Sequence, residues 1–249
     1  MAVNAEVFGR PTDKARASRR PSDRGLFLAA GVLFPLLVLA GYFKSYYFSA
    51  FFDVKPLASA IVHAHGIVMS AWVIYFVAQI ALIRSKNIKL HMTMGMAGVA
   101  LAAIVVVVGL MTAWDAQMVR NVAPPGAHPH SFFLVPVFDM LIFVLFFAGA
   151  IYYRKRPAEH KTLMLLTALN FVPAALFRLP ILPPEQAIIQ AFGGTNLLAF
   201  AAFGWYTYKH RTFNKLFAGG FLLMIVSLPL RIYIGSTETW LKFAHWMTS

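Results

Sequence analysis

The chain has 249 residues, of which 59% are hydrophobic and 12% are charged, and its formal net charge is +13. Because a soluble domain carries about 25% charged residues, this composition indicates a membrane protein. The absence of cysteine excludes disulfides, iron–sulfur clusters and thiolate metal sites. Any metal would therefore be held by His, Asp, Glu or Met side chains, or by a cofactor ring.

Residues 1–25 are polar and basic, and they predict a disordered segment on the cytoplasmic side of the membrane. The apolar run that begins at Leu26 is too long for the core of a cleaved secretory signal, so we interpret it as a retained first span. The positive charge of this segment and of the later loops is typical of contacts with anionic lipid headgroups. It does not predict a nucleic-acid partner.

The chain contains seven apolar segments that approach or exceed the roughly 20 residues that a helix needs to cross the hydrocarbon core. They lie near residues 26–44, 57–83, 92–114, 132–153, 162–182, 188–208 and 215–235. We therefore predict an all-α fold, a polytopic bundle of seven transmembrane helices over residues 26–235. The tail, residues 236–249, carries Trp240, Phe243 and Trp246 beside Lys242, a pattern that predicts a short amphipathic helix at the membrane interface.

Lysine and arginine concentrate in every second loop between these segments. The three basic clusters are Arg84, Lys86 and Lys89; Arg154, Lys155, Arg156 and Lys161; and Lys209, Arg211 and Lys215. Because cytoplasmic loops carry the excess of positive charge, the N-terminus is predicted to be cytoplasmic and the C-terminus external. This pattern is typical of a multi-pass protein of the bacterial inner membrane.

Each basic loop ends in a His-x-Thr sequence, at His91, His160 and His210. His91 opens the third predicted span and His160 opens the fifth, at the same depth. If these spans are neighbours, the two imidazoles could face each other across one haem or one metal ion, because imidazole is costly to bury without a partner. The alternative is that the threonine caps each helix while the histidine lies among lipid headgroups, which is the favoured interpretation for His210.

Further histidines lie towards the outer face. His63 and His65 are about 200° apart on a helix, so they cannot both point at one ligand. His65 shares one helical stripe with Trp72 and Gln79. His130 precedes the fourth span on the same side of the membrane.

A carboxylate in the fourth span adds a charged group to the outer half. Asp139 requires a cation in a bilayer, and Arg178 and Arg231 are the candidates. We expect His65, Asp139 and Arg178 to line one cavity. The candidate metal ligands are His63, His65 and Asp139, and the candidate pocket residues are Trp72, Gln79, Asp139, Arg178 and Arg231.

Residues 57–182 resemble uncharacterised bacterial multi-span membrane families known as domains of unknown function. The runs that carry the resemblance are His65-Gly66 through Gln79, Arg84, Leu90-His91-Met92-Thr93-Met94-Gly95, Arg154 through His160-Lys161-Thr162-Leu163-Met164, and Arg178. Their layout is also similar to that of the two-haem transmembrane b-type cytochromes of the ascorbate-reducing class. That resemblance implies haem b as cofactor, with His65 and His130 as the outer ligand pair and His91 and His160 as the inner pair.

Three functions remain open at this point. The first is a haem-binding or metal-binding redox protein that transfers electrons to a redox partner or to another membrane subunit. The second is a transporter or small-molecule binding protein that uses the outer polar pocket. The third is a non-catalytic accessory subunit whose histidines lie only at interfaces.

The charge pattern makes a direct prediction of topology. A reporter domain fused after Arg156 should be cytoplasmic, and one fused after Ser249 should be external, because the basic loops stay on the cytoplasmic side. Alkaline phosphatase and green fluorescent protein fusions report the two locations. A cytoplasmic reporter at Ser249 would require an even number of spans and would contradict the prediction.

Overall fold

The computed structural model describes residues 24–54 and 56–248. Most of these residues are helical, and no strand occurs among them, so the all-α prediction is confirmed. The predicted basic segment, residues 1–25, lies almost entirely outside the described residues, so its conformation stays a prediction.

Nine α-helices follow one another along this part of the chain. They are α1 (Arg24–Tyr42), α2 (Ala60–Arg84), α3 (Ile88–Trp114), α4 (Pro129–Phe132), α5 (Leu134–Tyr152), α6 (Pro157–Leu176), α7 (Ala187–His210), α8 (Lys215–Gly235) and α9 (Glu238–Thr248). Helices α1 and α3 each continue into a single π-helical turn, Phe43–Tyr47 and Asp115–Val119. Short connections join α2 to α3, α5 to α6 and α7 to α8, so these pairs run antiparallel.

Six helical segments are long and apolar enough to cross a membrane, and the chain is therefore a multi-pass integral membrane protein. These segments are Gly25–Tyr47, Ala60–Arg84, Ile88–Val119, Pro129–Tyr152, Pro184–His210 and Lys215–Gly235. The predicted fifth span, which corresponds to α6, is not among them.

Helix α6 differs from the other long helices because other helices enclose most of its surface. It packs against α1, α5, α7 and α8, and every residue from Leu165 to Pro173 is buried. A helix with so little surface left for lipid tolerates buried Thr167 and Asn170, which lower its hydropathy.

Contacts at its two ends show that α6 runs the length of the bundle. At the first end, the Asn214 amide, just before α8, donates to the hydroxyl of Thr162 at 3.1 Å. At the opposite end, the amide of Gln190, near the start of α7, donates to the carbonyl of Leu179 at 2.6 Å. The ends of α6 therefore lie level with the ends of helices that are long and apolar enough to cross a membrane.

The core between α2, α3, α5 and α6 is aromatic. Trp72 is fully buried, and its ring meets that of Phe143 at 5.1 Å and 84°. Phe143 in turn lies 4.8 Å from Phe171 of α6. Edge-to-face contacts of this kind add about 0.5–1.5 kcal/mol to the gain from burial. They fix α2 and α5 around the central helix.

Helix α1 approaches α6 closely at one glycine. A Cβ atom on Gly41 would collide with the main chain of Ala175, whereas a Cβ on Gly219 of α8 would meet open space. Small residues allow such close helix contacts in membranes.

We predict that Gly41→Leu lowers the free energy of unfolding by about 1–3 kcal/mol, because the helices must separate to admit the side chain. Gly219→Leu is the matched control and should leave stability unchanged or slightly higher, because leucine is the better helix former. Thermal unfolding of the detergent-solubilised variants measures both. Equal stability of the two variants would show that α1 does not pack closely on α6 at this position.

Candidate functional site

The structure brings His91 and His160 together at the end of the bundle where α3 and α6 begin. Their ring centroids are 6.3 Å apart, and the ring planes are inclined at 81°. Helix α3 packs mainly on α2 and α5, and α6 packs on α1, α5, α7 and α8. Helices α3 and α6 are therefore not each other's main packing partners. The two imidazoles meet across the space between them.

Hydrogen bonding orients one of the two rings. Nδ1 of His160 lies 2.8 Å from the carbonyl oxygen of Ala150, at the end of α5. A carbonyl oxygen only accepts, so Nδ1 carries the proton, and in the neutral ring Nε2 keeps its lone pair. Nδ1 of His91 is buried and has no hydrogen-bond partner within the described part of the chain.

The local sequence places both histidines at the same position of their helices. Asn87 caps α3 by accepting from the amide of Leu90 at 3.2 Å, and Pro157 opens α6. Each helix thus begins three residues before its histidine, and both rings lie in the first turn.

The alternative that threonine caps these helices is wrong. Thr93 and Thr162 lie inside α3 and α6, where their hydroxyls donate to carbonyls four residues earlier. The third sequence of this kind differs, because His210 ends α7 and stacks on Tyr206 at 4.4 Å. The cap of the following helix α8 is Asn214, which accepts from the amide of Phe217.

Gln79 lies at the same depth as His91. Helices α2 and α3 are antiparallel, and the hydroxyl of Tyr75 donates to the carbonyl of Met94 at 3.1 Å. Gln79 follows Tyr75 by one turn of α2, and His91 precedes Met94 by about one turn of α3, so the two residues lie at the same level. The Gln79 side chain is buried, and its amide lies near the Tyr75 hydroxyl without forming a hydrogen bond of ordinary geometry. Gln79, His91 and His160 therefore contribute polar atoms to one layer of the bundle. Trp72 lies two turns deeper, in the aromatic core.

A second polar site joins α5 and α8 in the other half of the bundle. Nη1 of Arg231 lies 2.6 Å from Oδ1 of Asp139 and 2.9 Å from the carbonyl of Val135. Its remaining nitrogens donate to the carbonyl and the hydroxyl of Ser227. Arg231 is only 2% exposed, so the guanidinium is desolvated, but it has partners for all three nitrogens.

Of the two candidate cations, Arg231 pairs with Asp139 and Arg178 does not. Arg178 is exposed, donates to the carbonyl of Ala174 and lies over the Tyr42 ring at 4.4 Å. The two arginines could not be distinguished by depth alone. The two arginines differ in the direction of their side chains: Arg231 points towards α5, whereas Arg178 points towards α1.

The cavity beside the Asp139–Arg231 pair has a volume of about 10 Å³, which is room for about one water molecule. Its lining residues are Asp139, Ile142, Asn170, Pro173, Phe192, Thr195, Asn196, Met224, Ser227 and Arg231. His65 and Arg178, which were predicted to share a cavity with Asp139, do not line it. Trp72 and Gln79 lie outside it as well.

The outer histidines lie apart from one another. His63 is exposed and packs against Tyr46, with ring centroids 5.8 Å apart. His65 has a buried Nδ1 without a hydrogen-bond partner among the described residues and lies within electrostatic range of Arg178. His130 instead packs on His128, with ring centroids at 5.2 Å.

The main chain of His130 accepts a hydrogen bond from Trp240 of α9 at 2.8 Å, which ties it to the C-terminal helix. The structure therefore does not bring His65 and His130 together as the cytochrome resemblance implies. Within residues 24–54 and 56–248, no group of three or more His, Asp or Glu side chains is placed to hold a metal ion. The candidate ligands His63, His65 and Asp139 are accordingly not gathered into one site.

Sequence reasoning missed several groups that complete these sites. Ser227 precedes Arg231 by one helical turn, a spacing that could have suggested the contact. The carbonyl of Ala150 and the rings of Phe138 and Phe192, which flank Arg231 at 5.7 and 5.5 Å, leave no such signal, because they belong to other helices.

No family model, curated protein or solved structure matches this chain.

We predict that Arg231→Ala lowers the free energy of unfolding by about 3–5 kcal/mol, because it leaves Asp139 without its cation in a desolvated site. Arg178→Ala is the matched control. It removes the same group from an exposed position and should cost less than about 1 kcal/mol. Unfolding in detergent micelles measures both values.

The double variant Arg231→Ala/Asp139→Asn should recover part of the loss, since it removes the orphaned charge. If Arg178→Ala proves as destabilising as Arg231→Ala, or if Asp139→Asn rescues nothing, the ion pair does not stabilise this end of the bundle.

Proposed function

We propose that this integral membrane protein is a redox protein that binds one haem b between His91 and His160 and transfers electrons at the face where α3 and α6 begin. The observation that supports the proposal is the approach of two imidazoles from different helices to a ring separation of 6.3 Å. The Nε2 lone pair of His160 is available there for ligation because its Nδ1 is engaged by Ala150.

The separation is compatible with two ligands on opposite sides of one ion. A metal–nitrogen bond is about 2.0–2.1 Å long and the ring adds about 1 Å to its centre, so two imidazoles that held one ion between them would have their centroids about 6 Å apart. A porphyrin supplies the other four nitrogens, so the protein needs to contribute only these two ligands.

The surroundings of the histidines also suit this cofactor. A carbonyl that accepts from Nδ1 of a ligating histidine fixes its tautomer and orientation, and the carbonyl of Ala150 is in that position. Gly95 lies one turn after His91, and a Cβ atom there would meet nothing within 4 Å, which is space that a flat ring could use. The neighbouring basic loops carry the positive charge that propionate groups require.

In this proposal each residue has a defined role. His91 and His160 would hold the iron, and a bound haem would supply one-electron chemistry. Ala150 orients His160 through its carbonyl oxygen. Gln79 is buried at the same depth. A redox partner or another membrane subunit would receive the electron at this face.

The topology belongs to the same proposal. Helix α6 serves as the seventh crossing, with the N-terminus cytoplasmic, the C-terminus external and the haem site at the cytoplasmic face of a bacterial inner membrane. The level ends of α6 and the basic residues of alternate loops support this arrangement. Its test is the pair of reporter fusions after Arg156 and Ser249.

Purified protein should show the Soret and α bands of a six-coordinate b-type haem in a reduced-minus-oxidised spectrum. His91→Ala and His160→Ala should each abolish the six-coordinate spectrum, because each removes one axial ligand. His210→Ala is the matched control: it alters the third His-x-Thr sequence but leaves the pair intact, so the spectrum should persist.

His91→Met should retain haem and raise its reduction potential, since methionine is a softer axial ligand. Protein that folds without haem even when haem is supplied during expression would overturn the proposal. So would a spectrum that survives in both alanine variants. Either result would favour a non-catalytic membrane subunit whose histidines only join helices.

A further inference from the structure

A long apolar groove opens on the side of the bundle between α1 and α7. Both helices pack on α6 but make few contacts with each other, so α6 forms the floor of the groove. Its volume is about 310 Å³, within the range of small-molecule sites. Small residues create the space, with Gly25 and Ala29 on α1, Ala168 on α6 and Ala201 on α7.

The groove lies within the span of the membrane and faces lipid. Leu33 of α1 and Trp205 of α7 are 43% and 55% exposed at its edges. The Trp205 ring reaches towards Gly25, where a Cβ atom would lie 3.8 Å from it. The lining is nearly all apolar, so a hydrocarbon chain is the complementary occupant.

Two ammonium groups mark one end of the groove. Nζ of Lys161 lies 5.4 Å from the ring of Phe27, and Nζ of Lys209 lies 6.0 Å from the ring of Trp205. Lys161 precedes the groove residue Leu165 by one turn of α6, and Lys209 follows Trp205 by one turn of α7. Because α6 begins and α7 ends at the same face, both positive charges lie where the groove reaches the membrane surface.

We infer that this groove binds an acyl chain of an anionic phospholipid, whose headgroup lies between Lys161 and Lys209. The apolar lining accepts the chain, and the two lysines select the negative headgroup over a zwitterionic one. The site is separate from the proposed haem function: it requires neither His91 nor His160 and stands if no haem is bound.

Trp205 provides a probe inside the site. We would reconstitute the full chain in phosphatidylcholine vesicles that contain increasing fractions of phosphatidylglycerol with brominated acyl chains, which quench nearby tryptophan fluorescence. The fluorescence of Trp205 is obtained by subtracting the fluorescence of the Trp205→Phe variant from that of the unaltered protein. Brominated phosphatidylcholine in phosphatidylglycerol-free vesicles gives the reference for unselective contact.

We expect brominated phosphatidylglycerol to reach half-maximal quenching of Trp205 at a several-fold lower mole fraction than brominated phosphatidylcholine. Lys161→Gln and Lys209→Gln should each reduce this preference by roughly fivefold, the effect expected for one lysine near the membrane surface. Lys89→Gln changes an exposed lysine at the start of α3, away from the groove, and should not alter it.

Filling the groove tests the acyl-chain site independently of charge. Ala29→Leu/Ala201→Leu should remove the selective quenching, whereas Ala100→Leu, at an exposed position of α3, should retain it. Equal quenching by the two lipids would overturn the inference, as would unchanged preference in the glutamine variants. Absence of quenching by either lipid would also overturn it and would indicate that protein, such as a second copy of the chain, covers the groove.

Discussion

A polar side chain inside a bilayer must find its partner within the protein, and this constraint determines the position of α6. The amide of Asn170 donates to the carbonyl of Asp139 on α5 at 2.9 Å, and Thr162 accepts from Asn214 before α8. Lipid could not satisfy the amide of Asn170, which lies in the middle of the helix. The helix therefore needs protein against its polar residues, and small or aromatic residues of the surrounding helices pack on it.

Asp139 and Arg231 must likewise find their partners within the protein, and the free-energy cost of desolvation is higher because both groups are charged. Both groups lose solvation, and the pair is tolerated because Ser227 and the carbonyl of Val135 complete the coordination of the guanidinium. The adjacent cavity has room for about one water molecule and gives no support to a solute pathway in this conformation. The pair therefore explains how α8 is held against α5.

Consecutive residues of α6 serve the two proposed sites. His160 faces His91 on the side of α3, whereas Lys161 lies over Phe27 on the side of α1. Neighbouring positions of a helix are about 100° apart, so one turn can present a ligand to one interface and a cation to another. A haem site and a lipid site at the same face would place electron transfer next to the membrane surface without sharing a residue.

The sequence by itself determined the all-α class, the membrane location and the approximate bounds of the apolar helices, because hydropathy and length are one-dimensional properties. It also indicated that His91 and His160 lie at one depth and that Asp139 needs a cation. Only the tertiary structure decided that Arg231 and not Arg178 fills that role, that His65 and His130 stay apart, and that the other helices enclose most of α6. The reason is that the sequence does not specify how each helix is rotated about its own axis. Lipid and protein core are both apolar, so hydrophobic periodicity does not reveal which side of a membrane helix faces which neighbour. Packing alone sets that rotation.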